Sequence, residues 1–182
     1  MVCSHIHLFP LSLSPSMLMD LSHQTGSGNL GTGVGPAFVD AVSAAEPGRV
    51  IVQGVLPYPA LVIGYLAGGS EEGAESMVAL TQKAATQCPS AQIIWGGYSQ
   101  GAQVTHKAAA KLPTALYSKI AGIVLFGDPY DGDAFPGTLN NNVRTFCNDD
   151  DPICDGLPLP IAGHLTYDED AGAAGAWVAA LV

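Results

Sequence analysis

Basic residues are scarce in this chain: 6 Lys and Arg stand against 16 Asp and Glu in 182 residues, a formal charge of −10. Binding a nucleic acid needs a surplus of basic side chains to displace phosphate counterions, so that class is excluded and polyanionic ligands are disfavoured. Charge of either sign is low at 12%, against about 25% in ordinary soluble domains, which leaves no coiled coil or long solvated helix. No two of the 4 cysteines have the close spacing of a zinc site, so no metal is expected. Residues 1–24 hold no Lys or Arg, and Pro10 and Pro15 interrupt their apolar run. They make a poor signal peptide and no membrane span. Disorder is excluded too, because 48% of the residues are hydrophobic. What remains is an acidic globule suited to neutral ligands.

The length fits one domain spanning 1–182, with 1–27 read as an irregular N-terminal segment. Ten of the acids lie between Asp128 and Asp170, where Arg144 is the only Lys or Arg. Most of that cluster reads as solubilising surface charge, with room for one catalytic carboxylate. Cys3, Cys88, Cys147 and Cys154 allow three disulfide pairings. Their even number favours a secreted, extracellular protein.

Helix and strand signals alternate after the N-terminus. Pro36 opens a helix with Phe38, Ala41, Val42 and Ala45 on one face, stopped by Pro47-Gly48. Val50–Val55 reads as a strand. Ser70 caps a helix whose first turn carries Glu71, Glu72 and Glu75 and which runs to Cys88. A strand at Ala91–Trp95, a helix from about Gln100 to Leu112, strands at Ile120–Phe126 and Val143–Cys147, and an Ala-rich helix over Ala171–Val182 complete the series. Apolar strands alternating with helices imply a three-layer α/β/α sandwich around a mainly parallel sheet.

Gly97-Tyr98-Ser99-Gln100-Gly101 fits G-x-S-x-G between an apolar strand and a helix. In that context a serine sits on a strained elbow with its hydroxyl exposed, and the helix N-terminus is aimed at any oxyanion formed there. Such a nucleophile needs a base and an orienting acid, in the chain order Ser, Asp, His. His5, His7 and His23 precede Ser99, and His106 lies two turns along the same helix, so it reads as a packing or surface histidine. Order selects His164. For the acid, Asp128 and the triplet Asp149, Asp150 and Asp151 all remain open. A second glycine pattern, Gly26-Ser27-Gly28-Asn29-Leu30-Gly31, fits G-x-G-x-x-G but follows no clear strand, so it reads as a loop and no nucleotide cofactor is expected.

The elbow GGYSQGA, the segment CNDDDPIC and the later GHLTY resemble the fungal cutinase family of secreted serine esterases, which has acetylxylan esterases as relatives. GNLGT, VQGV, CPSAQI and KIAGIVLFGDP extend the resemblance over about residues 28–182. It implies a small lidless α/β-hydrolase, with Ser99 as nucleophile, Asp151 as acid, His164 as base and the N–H of Gln100 as one oxyanion donor. It also implies disulfides Cys147–Cys154 and Cys3–Cys88. The family's A-R-G-[ST] turn, whose hydroxyl completes the oxyanion hole, is replaced here by LSHQTGSG. Gln24 aligns with that hydroxyl without gaps, and Thr25 aligns with it after one deletion. Thr25 supplies the hydroxyl. Loss of one such donor costs on the order of 10²–10³ in rate.

The expected activity is therefore hydrolysis of cutin-type polyester and short-chain esters by an acyl-enzyme route with no cofactor. Leu157, Leu159 and Ile161 before His164, with Tyr98 in the elbow, are the expected substrate contacts. Leu61–Leu66 forms a second apolar loop, divided between rim and core. The alternatives are an acetylxylan esterase and a surface-associated hydrolase-like protein impaired at its oxyanion turn. The expected partner is a neutral polymer or small ester, with no nucleic acid or membrane, and the expected state is a monomer.

Overall fold

The computed structural model describes the backbone of residues 16–21 and, in full, residues 30, 33–58 and 60–182. The alternating signals yield strands β1 (Ser16–Leu21), β2 (Val50–Gly54), β3 (Gln92–Tyr98), β4 (Ile120–Phe126) and β5 (Val143–Phe146). Between and after them come helices α1 (Val34–Ala45), α2 (Val62–Leu66), α3 (Glu71–Gln87), α4 (Gln100–Lys111) and α5 (Ala171–Ala179). The sheet order is β2-β1-β3-β4-β5, and every pairing is parallel.

Strand alternation divides the core into two layers. Ile93 and Trp95 of β3, with Ile123 and Leu125 of β4, face Met77 and Ala84 of α3 and Val104 and Ala108 of α4. The intervening Ile94, Tyr98, Val124 and Phe126 face Phe38 and Val42 of α1 and Val178 of α5. A parallel sheet buried on both faces needs such near-continuous apolar strands. The result is the expected three-layer sandwich. Ser70 caps α3 as expected, its Oγ accepting from the Gly73 N–H at 3.1 Å.

Helix α5 stops at Ala179 rather than Val182, several other ends move by one or two residues, and two departures from the sequence expectation bear on the site. β1 lies inside the segment read as irregular, in the interior of the sheet between β2 and β3. Its sequence, SMLMDL, has no β-branched residue and follows a proline, so main-chain pairing on both sides makes the strand. β3 runs on through Gly96 and Gly97 to Tyr98, held by β1 and β4 despite the poor strand propensity of glycine. The Gly26–Gly31 pattern falls almost wholly outside the described residues. The order of strands reverses between β1 and β3, and in open α/β sheets ligands bind beyond the carboxyl ends of the strands at such a point.

Candidate active site

Ser99 follows β3 directly at that carboxyl edge. It has φ +55° and ψ −118°, and no other non-glycine residue among those described has a positive φ. Its N–H donates to the Phe126 carbonyl at 2.9 Å, which ties the elbow to the end of β4. A Cβ at Gly97 would lie 2.8 Å from the Gly101 carbonyl oxygen and 2.9 Å from the Ala102 nitrogen, so only glycine lets strand and helix turn this tightly. Ser99 stands at the N-cap of α4 yet makes no side-chain cap. Its hydroxyl is turned elsewhere.

That hydroxyl meets His164 Nε2 at 2.9 Å. The opposite ring nitrogen, Nδ1, lies 2.7 Å from Asp151 Oδ2. A carboxylate only accepts, so Nδ1 donates to Asp151 and Nε2 offers its lone pair to the serine. Ser99, Asp151 and His164 are 5%, 3% and 3% exposed, so these bonds act with little competition from water. Asp149 and Asp150 are exposed. Asp128 is buried but turned away, bonded to His106 Nε2 at 2.8 Å, and the His106 ring stacks on Phe135 with centroids 4.2 Å apart.

The loop carrying Asp151 is closed by the Cys147–Cys154 disulfide. Asp151 Oδ1 caps a short 3₁₀ turn by accepting from the Ile153 N–H at 3.1 Å. From the same loop, Asn148 Nδ2 donates to the Gly163 carbonyl at 2.7 Å, clamping the His164 loop. Tyr98 holds that loop from the other side: its hydroxyl donates to the His164 carbonyl at 2.7 Å, and its ring stacks on the imidazole at 5.0 Å. Burial first, then the charge of Asp151, pushes the Tyr98 phenol up to about 12, so it stays a donor. A Cβ at Gly127 would lie 2.8 Å from His164 Cε1, so the chain leaving β4 passes flush against the imidazole.

A cleft of about 370 Å³ opens over Ser99 and His164, walled by Val62, Tyr65 and Leu66 on one side and by Pro158, Pro160 and Leu165 on the other. Tyr98 lines the cleft. Leu157, Leu159 and Ile161 do not: they are 55%, 57% and 40% exposed, and the intervening prolines form the wall. Extended chain sends alternate side chains to opposite sides, so the prolines and the larger apolar residues cannot both face the cleft. The α2 loop is rim rather than core, with none of α2 buried.

Gln100, first residue of α4, is fully buried. Its N–H belongs to the first helical turn, whose donors have no partner within the helix. Its side chain is pinned, with Nε2 donating to the Leu61 carbonyl at 2.8 Å and Oε1 accepting from the Tyr58 hydroxyl at 3.2 Å. Thr25 lies outside the described residues, as does Cys3 of the expected Cys3–Cys88 pair. Sequence reasoning missed Asn148, Tyr58 and Tyr167. Each contributes through a hydrogen bond to a distant segment, which no local pattern signals.

A cutinase family model matches residues 19–182. Among named relatives, the cutinase CUT1 of Coprinopsis cinerea is 49% identical over 155 residues, 85% of this chain and 77% of that protein. A cutinase of Blumeria hordei is 40% identical over 170 residues, covering 92% and 71% of the two chains. The solved Trichoderma reesei cutinase, bound to a phosphonate inhibitor, superposes with a TM-score of 0.85 at 38% identity, over 91% of this chain and 75% of that one. An acetyl xylan esterase shares the fold, with a TM-score of 0.70 at 20% identity over 93% and 99% of the chains.

Proposed function

The chain belongs to the cutinase family and is a carboxylic ester hydrolase, and we propose that it cleaves cutin-type aliphatic polyester and short-chain esters through Ser99, His164 and Asp151. The observation that carries this reading is the Ser99 hydroxyl, 2.9 Å from a histidine nitrogen at the base of an apolar cleft. His164 takes the serine proton as Oγ attacks the ester carbonyl. It then protonates the leaving alcohol as the tetrahedral intermediate collapses to an acyl-enzyme. Water, activated by the same nitrogen, releases the acid and restores Ser99. Asp151 holds the productive tautomer and stabilises the imidazolium. The Gln100 N–H and the Thr25 hydroxyl are the proposed oxyanion donors.

The cleft walls favour an aliphatic acyl chain over acetylated xylan. Val62, Leu66 and Leu165 are apolar and are 73%, 67% and 70% exposed, giving an open, greasy mouth rather than a polar sugar groove. No described helix is long and apolar enough to cross a membrane. The disulfide suits an oxidising compartment, and we place the protein outside the cell, acting as a monomer on a neutral polymer.

Hydrolysis of p-nitrophenyl acetate, butyrate and longer esters, beside release of monomers from a cutin film, tests this reading. Butyrate and longer esters are expected to match or exceed acetate, with film hydrolysis lost in Ser99→Ala. Strict acetate preference would overturn the substrate assignment.

A further inference from the structure

Tyr167 stands behind the His164–Asp151 pair, outside the cleft. Its side chain is 1% exposed, and its ring lies edge-on to His164 with centroids 6.1 Å apart. Its hydroxyl donates to Asp151 Oδ2 at 2.6 Å. That is the oxygen that also receives His164 Nδ1. The hydroxyl in turn accepts from the Asn148 N–H at 3.1 Å, and Cys154 Sγ lies 3.7 Å away. With the Ile153 N–H on Oδ1, the carboxylate receives three donors, and one oxygen is shared between two of them.

Burial, and after it the bond to Asp151, raises the Tyr167 phenol above its ordinary range, so the group donates throughout the working range of an esterase. Tyr98 is its other titratable neighbour, and it too stays protonated.

We propose that Tyr167 is a positioning residue for acyl transfer: its hydroxyl fixes the plane of the Asp151 carboxylate and takes a share of the charge on the oxygen that supports the imidazolium. The proposal rests on the reading of Ser99, His164 and Asp151 as the reacting group. A hydrogen bond to a charged acceptor is short and directional, so it restricts rotation of the carboxylate. The Asn148 N–H polarises the phenol and strengthens its donation. Without the phenol, Oδ2 gives its full charge to His164 and holds the imidazolium more tightly before any substrate arrives. A freed carboxylate also loses its fixed alignment, and turnover falls while the cleft is untouched.

Tyr167→Phe separates this role from simple packing, because it keeps the ring and removes only the donor. Expected are a fall in kcat of about tenfold, the order of one charge-assisted hydrogen bond, an unchanged KM for p-nitrophenyl butyrate, and an acid limb of the pH–rate profile displaced to higher pH. Protein carrying 3-fluorotyrosine at 167 has a more acidic phenol and a stronger donor, so its acid limb moves the opposite way. A Phe variant with wild-type kcat and acid limb, whatever its Tm, overturns the proposal. If that variant does not fold, an unmoved acid limb in the fluorotyrosine protein overturns it. Ser99→Ala is measured alongside. Retained hydrolysis there defeats the triad reading itself, whereas a dead Ser99→Ala with an unaffected Tyr167→Phe defeats only the role of Tyr167.

Discussion

Two histidine–aspartate pairs lie at the carboxyl edge of this sheet, and their bond lengths hardly differ. His164 meets Asp151 at 2.7 Å, and His106 meets Asp128 at 2.8 Å. Both aspartates are buried. The surroundings differ. The second nitrogen of His164 faces a serine hydroxyl on a strained elbow beneath an open cleft. His106 is packed against Phe135 and Tyr130. A buried His–Asp bond is therefore no mark of catalysis by itself. The serine at its far nitrogen is what sets His164, the proposed base, apart from His106.

The sharpest contrast between the pairs comes from breaking each in turn. Asp151→Asn keeps the size of the side chain but favours the wrong tautomer, and kcat for p-nitrophenyl butyrate should drop by about 10⁴; Tm should fall as well, because an amide cannot accept from all three buried donors that the carboxylate serves. His106→Ala costs stability alone. It leaves Asp128 buried without its partner and should lower stability by roughly 2–4 kcal/mol in denaturant unfolding, while kcat of the folded enzyme stays within about twofold. A large kcat loss in His106→Ala at full folding would erase the distinction.

A smaller effect is expected at the rim. Leu66→Ser removes apolar wall without touching Ser99, and should raise KM for long-chain esters by roughly fivefold, about 1 kcal/mol, and leave acetate unaffected. An effect confined to alkaline pH concerns Tyr98, which braces His164. Its phenol has an ordinary value of 10.0, raised to about 12 in the fold. The unfolded chain therefore loses this proton first, so the contribution is complete below pH 10 and is lost as pH rises to about 12. Wild-type stability should fall more steeply than that of Tyr98→Phe between pH 10 and about 12; equal slopes for the two proteins in that window would remove Tyr98 from that balance.

How much of this was legible in the sequence depends on whether the signal was local. Strand β4 has the bounds read from IAGIVLF, a continuous apolar run closed by Lys119 and Gly127. The elbow and the Ser70 cap were equally local. β1 was not, because its residues have little strand preference and Pro10 and Pro15 precede it. Two-sided pairing in the finished sheet creates it. From residues alone the acid stood open between Asp128 and the Asp149–Asp151 triplet. Family resemblance pointed to Asp151, and the geometry places its carboxylate on His164. The role of Tyr167 hangs on a bond to a residue 16 positions away in another loop, which periodicity does not register.

The most direct test of Ser99 as nucleophile is intact-mass and peptide analysis after treatment with a fluorophosphonate. One adduct is predicted, on Ser99, formed more slowly in Asp151→Asn and at the wild-type rate in His106→Ala. No adduct on Ser99, or ester hydrolysis that survives in Ser99→Ala, would contradict it.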